Sequence, residues 1–303
     1  IKEVARLHGQ VADSDVSILA MGKWGGREMT PTSDLDMILI YQAKNLSGQS
    51  DGARPLAVSQ YFSRITQRLI AAFSASTGEG IAYSVDMRLR PSGKSGPLAT
   101  ELQSFTTYQR DNAWTWEHMA LTRARPLGGQ PALQTAIRKT ISALLCQPRD
   151  NSRLQNDVWD MNARLHAAKK TQSFWELKEA PGGLVDVEFL AQFFQLAHAE
   201  TFNDILAVNT EAALAAACRH GVLSSNDFRQ LGDALSLYTG LIQILRLCVE
   251  TNFSVETAPR ALLDRLIRQA GVSNKNELEF LIAETQQSVQ VLLRKYLAQA
   301  EMV

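Results

Sequence analysis

Residues 16–41 read VSILAMGKWGGREMTPTSDLDMILIY. Val16 to Met21 is an almost unbroken apolar run that stops at Gly22, the pattern of a strand buried on both faces. GKWGGRE follows as a glycine-rich turn. Asp34 to Tyr41 is then a second strand, whose period of two sets Asp34, Asp36, Ile38 and Ile40 on one face. Two acids at the head of an otherwise apolar strand need a partner, because burying unpaired charge is strongly unfavourable. Either they are salt-bridged aspartates at an exposed strand start, or a hard divalent cation with oxygen ligands neutralises them. The turn has two readings as well. It either permits positive φ and nothing more, or it aims backbone N–H groups, with Ser33 nearby, at a phosphate.

Outward from this stretch, the apolar positions Val58, Tyr61, Phe62, Ile65, Leu69, Ala72 and Phe73 step by three and four, which predicts a helix from Pro55 to about Thr77 covering the sheet. GEG breaks it. IAYSVDMRLRP, residues 81–91, is predicted as a third strand with Val85, Met87 and Leu89 inward and Asp86, Arg88 and Arg90 on the opposite face. Two short helices close the first domain at Pro126. Beyond the GGQP linker, helices are predicted near 131–146, 151–168, 183–200, 209–219, 225–250, 259–270 and 275–301, with Gly221 and Gly271 where helix-ending glycines belong. The fold class is therefore α+β: a domain over 1–126 with a small mixed sheet, followed by an all-α helical domain over 127–303.

Composition narrows the function. The chain has 303 residues, 45% of them hydrophobic, with 31 Lys and Arg against 31 Asp and Glu. That is enough for real cores, and the balanced charge argues against nucleic acid or an anionic membrane as the main partner. No run approaches a membrane span, and the first residues lack a signal peptide's pattern. The cysteines, Cys146, Cys218 and Cys248, form no zinc-type spacing and point to a reducing, cytoplasmic setting. An initial Ile is what a piece of a longer polypeptide or a processed product would show.

The chemistry rests on Asp34, Asp36 and Asp86 together. Asp86 beside Arg88 and Arg90 is by itself only an ion-pair ladder. Three carboxylates from two strands, with fixed cations, are the equipment of two-metal phosphoryl or nucleotidyl transfer, in which metals clamp the attacking and leaving oxygens. Asp86 is then the general base or the holder of the metal at the attacking hydroxyl. In NAWTWEHMALTRAR, residues 112–125, Trp114, Trp116, Met119 and Leu121 read as helix core, with Glu117, Arg123 and Arg125 as alternatives that reach the cleft. The histidines form no ligand spacing, and no Ser-His-Asp or Cys-His nucleophile is visible.

GKWGGREMTPTSDLDMILIY, VDMRLRPSGKSGPLAT, AWTWEHMALTRARP and KEAPGGLVDVEF together resemble the glutamine synthetase adenylyltransferase family, which has a nucleotidyltransferase domain of the DNA polymerase beta-like type. Trp24 and Met29 depart from a common Leu, in both cases with another apolar residue. The resemblance implies that Asp34, Asp36 and Asp86 bind Mg²⁺ or Mn²⁺ and that Gly25, Gly26 and Ser33 form the nucleotide-phosphate turn. Arg88, Arg90 and Lys94 are the candidates for phosphate contacts. It makes Lys178, Asp186 and Glu188 candidates for closing the site from the helical domain, although acids in a first helical turn suit the helix dipole whatever their function.

The implied reaction is transfer of AMP from ATP to a tyrosine of glutamine synthetase, releasing pyrophosphate, with PII signal protein as a further partner. The nearest alternative is the adenylyl-removing phosphorolysis of AMP-tyrosine to ADP on the same fold. A nucleotidyltransferase acting on a nucleic-acid end or a small molecule, and a non-catalytic nucleotide- or PII-binding module, are the others.

Overall fold

The computed structural model describes residues 2–78, 80–81, 83–169, 173, 175–249 and 253–298. Ala82 of the predicted third strand, Glu250 of the predicted helix 225–250 and residues 299–301 of the last predicted helix lie outside these. The chain forms two compact units, Ile1–Leu145 and Cys146–Val303.

The first unit runs α1 (Lys2–His8), β1 (Ser14–Ala20), α2 (Gly22–Gly26), β2 (Leu35–Ala43), α3 (Val58–Phe73), the short hairpin β3 (Ser76–Thr77) and β4 (Gly80–Ile81), β5 (Val85–Asp86), β6 (Ala99–Glu101), α4 (Leu102–Asp111), α5 (Thr115–Leu121), β7 (Arg125–Leu127) and α6 (Pro131–Leu145). The main sheet is mixed. β1 pairs antiparallel with β2 on one side and β7 on the other. The far edge of β2 takes two parallel partners: β5 opposite Leu35 and Asp36, and β6 opposite Leu39, Ile40 and Tyr41. Parallel pairing needs a crossover, and α3 supplies it. Its buried Val58, Tyr61, Phe62 and Ile65 pack with Leu39 and Tyr41 of β2, Ala99 of β6 and Val4 of α1. Tyr41 and Phe62 stack with ring centroids 4.3 Å apart.

The third strand is much shorter than its alternation predicts. Among its described residues, strand conformation divides between Ile81, which pairs in the β3–β4 hairpin, and Val85–Asp86, which alone join β2; beyond Asp86 the Arg88 amide donates to Asp86 Oδ1 at 2.8 Å and the Arg90 amide to the Met87 carbonyl at 3.2 Å, which turns the chain. The predicted Trp core is corrected too: Met119 and Leu121 are buried, while Trp114 and Trp116 are 71% and 41% exposed. Glu117 stays at home as the N-terminal cap of α5, taking the Trp114 amide at 2.9 Å and the Tyr108 hydroxyl at 2.9 Å.

The helix Pro131–Leu145, which follows the GGQP linker, belongs to the first compact unit and packs on β7, β1, α4 and α5. The regular structure among the described residues of the second unit is helical: α7 (Asn151–Lys169), α8 (Leu184–His198), α9 (Thr210–Arg219), α10 (Ser225–Cys248), α11 (Arg260–Ala270) and α12 (Lys275–Leu297), with a 3₁₀ turn at Asn203–Ile205. These boundaries follow the predicted helices closely, and their caps explain why. Asn209, Ser224 and Asn274 accept the amides of Ala212, Asp227 and Glu277, and Gly271 ends α11 in the left-handed region at φ 70°. No helix among the described residues is long and apolar enough to cross a membrane.

Candidate active site

The parallel register sets Asp36 directly opposite Asp86. Paired residues of neighbouring strands point to the same face, so both carboxylates project on one side of the sheet, and Asp34, two residues before Asp36, sits at the same strand head. The face is shared with Ile38 and Ile40, which are fully buried, whereas Asp36 and Asp86 are half-buried and Asp34 is exposed. The acids therefore mark the point where the apolar face meets solvent.

α2 lies against them. The Met21 amide donates to the Asp36 carbonyl at 2.9 Å. Gly22 has φ 51°, and a Cβ there would stand 2.3 Å from Asp36 Oδ2. The backbone thus leaves room for the Asp36 carboxylate that any side chain would fill. Gly25 does a different job. Its amide donates to the Met21 carbonyl at 2.8 Å, and a Cβ would come within 2.0 Å of the Arg123 carbonyl oxygen and 2.5 Å of that of Ala20. Gly25 and the buried Gly26 pack α2 tightly, and the Gly25 amide is taken up inside the helix rather than turned to a ligand. Ser33 closes the following loop, its hydroxyl accepting the Thr30 amide at 3.1 Å and bonding the Thr30 hydroxyl at 2.9 Å. The same loop borders a cleft of about 670 Å³ lined by Trp24, Met29, Ser33, Asp34, Phe73 and Tyr83 among others.

The three basic candidates have separate fates. Arg88 meets Asp86, as its position predicts, but through the turn: its amide and Nε donate to Oδ1 and Oδ2 at 2.8 and 2.7 Å, and its Nη2 ion-pairs with Oδ2. Burial would push the Asp86 carboxyl up, but the Arg88 hydrogen bonds, with the charges of Arg88 and Lys94, outweigh it and hold it below the ordinary aspartate value. Arg90 is buried, and its guanidinium donates to the carbonyls of Met87 at 2.8 Å, Lys94 at 3.2 Å and Gly96 at 3.3 Å. It shapes the loop after the site. Lys94 is exposed on that loop.

Arg123 and Arg125 are engaged by α2 and the loop after it. Arg123, buried, pairs with Glu28, and Arg125 donates to the carbonyls of Gly25 at 3.1 Å and Trp24 at 3.0 Å, closing the C-terminal end of α2. In the second unit Asp186 is 1% exposed and accepts from Asn162 at 2.6 Å, His166 at 3.0 Å and the Gly182 amide at 2.6 Å. It joins α7 to the start of α8 as an interior group. Lys178 lies 3.5 Å from Glu179, and Glu188 is half-buried.

The donors at Asp34, Asp36 and Asp86 are all carboxylate oxygens, the set that suits a hard divalent cation. In this conformation no three His, Cys, Asp or Glu among the described residues converge at metal-ligand spacing, and Asp86 is turned onto Arg88.

Residues 2–140 match the family model "Glutamate-ammonia ligase adenylyltransferase", and residues 153–297 match "GlnD PII-uridylyltransferase". Proteins named bifunctional glutamine synthetase adenylyltransferase/adenylyl-removing enzyme are 47% identical over 97% of the chain in Rhodopseudomonas palustris strain HaA2 and 46% identical over 97% in Xanthobacter autotrophicus. The chain belongs to the glutamine synthetase adenylyltransferase family. It spans 30% of the length of these two relatives. Within the adenylyltransferase match lie all three aspartates and the glycine turn, and within the second match lies the interior Asp186 network.

Proposed function

We propose that this chain transfers AMP from ATP to a tyrosine hydroxyl of glutamine synthetase. The observation that carries the reading is the Asp36–Asp86 register, with Asp34 at the same strand head and the Gly22 recess beside it. Asp34, Asp36 and Asp86 are the residues that would hold Mg²⁺ or Mn²⁺. A bound divalent cation would offset triphosphate charge and lower the pKa of the acceptor hydroxyl, which is near ~10 when free.

The chain's own groups supply the rest. The apolar cleft beside Asp34 has the size and lining to take a nucleoside. Arg88 and Lys94 are the exposed cations positioned for the phosphates, while Arg90 fixes the loop that carries Lys94. The tyrosine oxygen forms a bond to the α-phosphorus as the bond to the bridging oxygen breaks, and pyrophosphate leaves with that oxygen. Asp86, ionised at neutral pH, takes the hydroxyl proton or holds the cation beside it. We assign this chemistry to the first unit, in a cytoplasmic setting. We assign contacts with the protein substrate and regulators to the second unit, where Lys178 and Glu188 remain candidates. The match of residues 153–297 to a PII-uridylyltransferase model supports a PII-type signalling protein as a partner there.

The relatives' name includes adenylyl removal, so the phosphorolytic direction is the second reading. One experiment tests both: the chain is incubated with glutamine synthetase and α-labelled ATP plus Mg²⁺, and separately with adenylylated glutamine synthetase and phosphate. Label on the protein with pyrophosphate release supports transfer. ADP appearing in the second arm alone replaces it with phosphorolysis, and neither product overturns the proposal.

A further inference from the structure

Asp86 and Arg88 are more than neighbours. The Arg88 amide, Nε and Nη2 all converge on one carboxylate and occupy both of its oxygens. The side chain doing this is 71% exposed, while that of Asp86 is only 17% exposed. An exposed ion pair is held weakly and exchanges its partner readily, but here two guanidinium nitrogens, Nε and Nη2, close on the single oxygen Oδ2 of a half-buried carboxylate. Oδ2, which the guanidinium holds, is the oxygen that Arg88 would yield to a divalent cation, while Oδ1 keeps the backbone amide. Asp36 and Asp34 also act on the Arg88 charge, more weakly than Asp86 does.

Resting on the functional reading above, we propose that Arg88 is a positioning residue that occupies Asp86 as a stand-in cation, and that metal uptake displaces its guanidinium toward the nucleotide phosphates. One side chain then serves two steps in turn. It neutralises the carboxylates while the site is empty, which counters their mutual repulsion. Once displaced, it offers its planar fork to a phosphate, for which Arg is well shaped. Metal binding and phosphate binding are thereby coupled through a single guanidinium: the metal competes with Arg88, and the nucleotide recruits it. No backbone rearrangement is required, since the Arg88 amide bond to Oδ1 is independent of where the side chain goes.

The coupling predicts opposite signs for two affinities in the same variant. Mn²⁺ alone is titrated into the full chain by electron paramagnetic resonance, and a non-hydrolysable ATP analogue is titrated by calorimetry at saturating Mn²⁺, for wild type, R88Q, R88K and K94Q. R88Q is expected to bind Mn²⁺ about two- to fivefold tighter and the analogue at least about tenfold weaker, the ranges that correspond to releasing an exposed pair and losing a charged phosphate contact. R88K, which keeps the charge but not the fork, lies between R88Q and wild type for Mn²⁺, and it decides the matter if R88Q does not fold. K94Q removes charge from the field of Asp86 without touching its oxygens, so it should tighten Mn²⁺ less than R88Q. Unchanged or weaker Mn²⁺ binding in R88Q, or equal tightening in K94Q, overturns the stand-in role while leaving the functional reading in place. A wild type that binds neither Mn²⁺ nor the analogue overturns that reading itself.

Discussion

Asp36 and Asp86 face each other across the parallel ladder of β2 and β5, each one peptide beyond an apolar residue, Leu35 and Val85, that is paired in the same ladder. Their carboxylates are thus held at adjacent points by backbone geometry alone. If the proposed function holds, Asp36→Asn is expected to lower AMP transfer by at least about a hundredfold, because it removes a carboxylate proposed to hold the cation while leaving the ladder intact. The melting temperature should be unchanged or raised, since like charges no longer crowd the strand head. Activity assayed beside thermal unfolding checks both halves, and near-normal turnover would remove Asp36 from the site.

Asp86→Asn separates chemistry from binding. Loss of its charge releases the Arg88 guanidinium, so ATP affinity should hold or increase while the single-turnover transfer rate collapses. A rapid-quench measurement next to an ATP titration distinguishes this from a nucleotide-binding role, for which affinity would fall and the rate would persist.

The two glycines of the turn should fail in different ways. Gly22→Ala places a methyl against the Asp36 carboxylate in a left-handed backbone, at a conformational cost of about 1–2 kcal/mol. The protein should fold and lose activity out of proportion to stability. Gly25→Ala drives a Cβ onto two backbone carbonyls and should destabilise the first unit outright. Urea unfolding with parallel activity assays tells them apart; equal stability losses would contradict the distinction.

Asp186→Ala leaves the Asn162 amide, His166 and the Gly182 amide without their acceptor in the interior of the second unit. A loss of about 3–5 kcal/mol is expected for removing one partner of a buried charged network. Nucleotide binding by the first unit, followed in the same samples, should be retained. A mild loss of stability would indicate that water replaces the carboxylate.

His166 gives the helical unit a defined pH response. The Asp186 hydrogen bond, opposed by burial and aided by the Asp186 charge and the Glu179 carbonyl, raises the imidazole above its ordinary value of 6.5. A raised folded-state pKa means that the stabilisation is fully present below about 6.5, the unfolded value, and is lost as pH rises through the folded one. The unfolding midpoint of the second unit should fall from pH 6 toward pH 8, and His166→Gln should flatten that slope. A slope of opposite sign would show the ring to be neutral at its Asp186 contact.

Much of this arrangement can be read in the sequence, for physical reasons that differ by residue. The helices of the second unit carry their own periodicity and caps, so their ends are visible locally. Asp34 and Asp36 stand out because acids beside Ile38 and Ile40 contradict the apolar pattern around them, and Asp86 because it repeats an acid on the polar face of a second alternating segment. The short β5 does not stand out, because a side chain returning to its own backbone, Asp86 to the Arg88 amide, ends an alternation that continues in the letters. Arg90 and Arg125 are equally opaque. Their partners are carbonyls, which every residue possesses, and those of Arg125 lie 100 and 101 positions away. Asp186 reads as a helix-start acid, and only the packing of α7 against α8 makes it interior. Trp114 and Trp116 satisfy an amphipathic spacing that the short α5 presents to solvent.

The edge of β2 is bonded twice, to β5 at Leu35–Asp36 and to β6 at Leu39–Tyr41, with Met37 and Ile38 outside both registers. The two attachments are unequal. β6 leads into α4 and the packed interior, whereas β5 contributes a ladder only two residues long. Opening the β5 seam therefore exposes few amides and leaves the β6 seam closed. In deuterium exchange the Leu35 amide, bonded to the Ser84 carbonyl, should label well before the amides of Leu39 to Tyr41. The strand bearing Asp86 is in this sense a detachable border on a fixed floor, free to breathe by a peptide or two without loosening the domain that carries it.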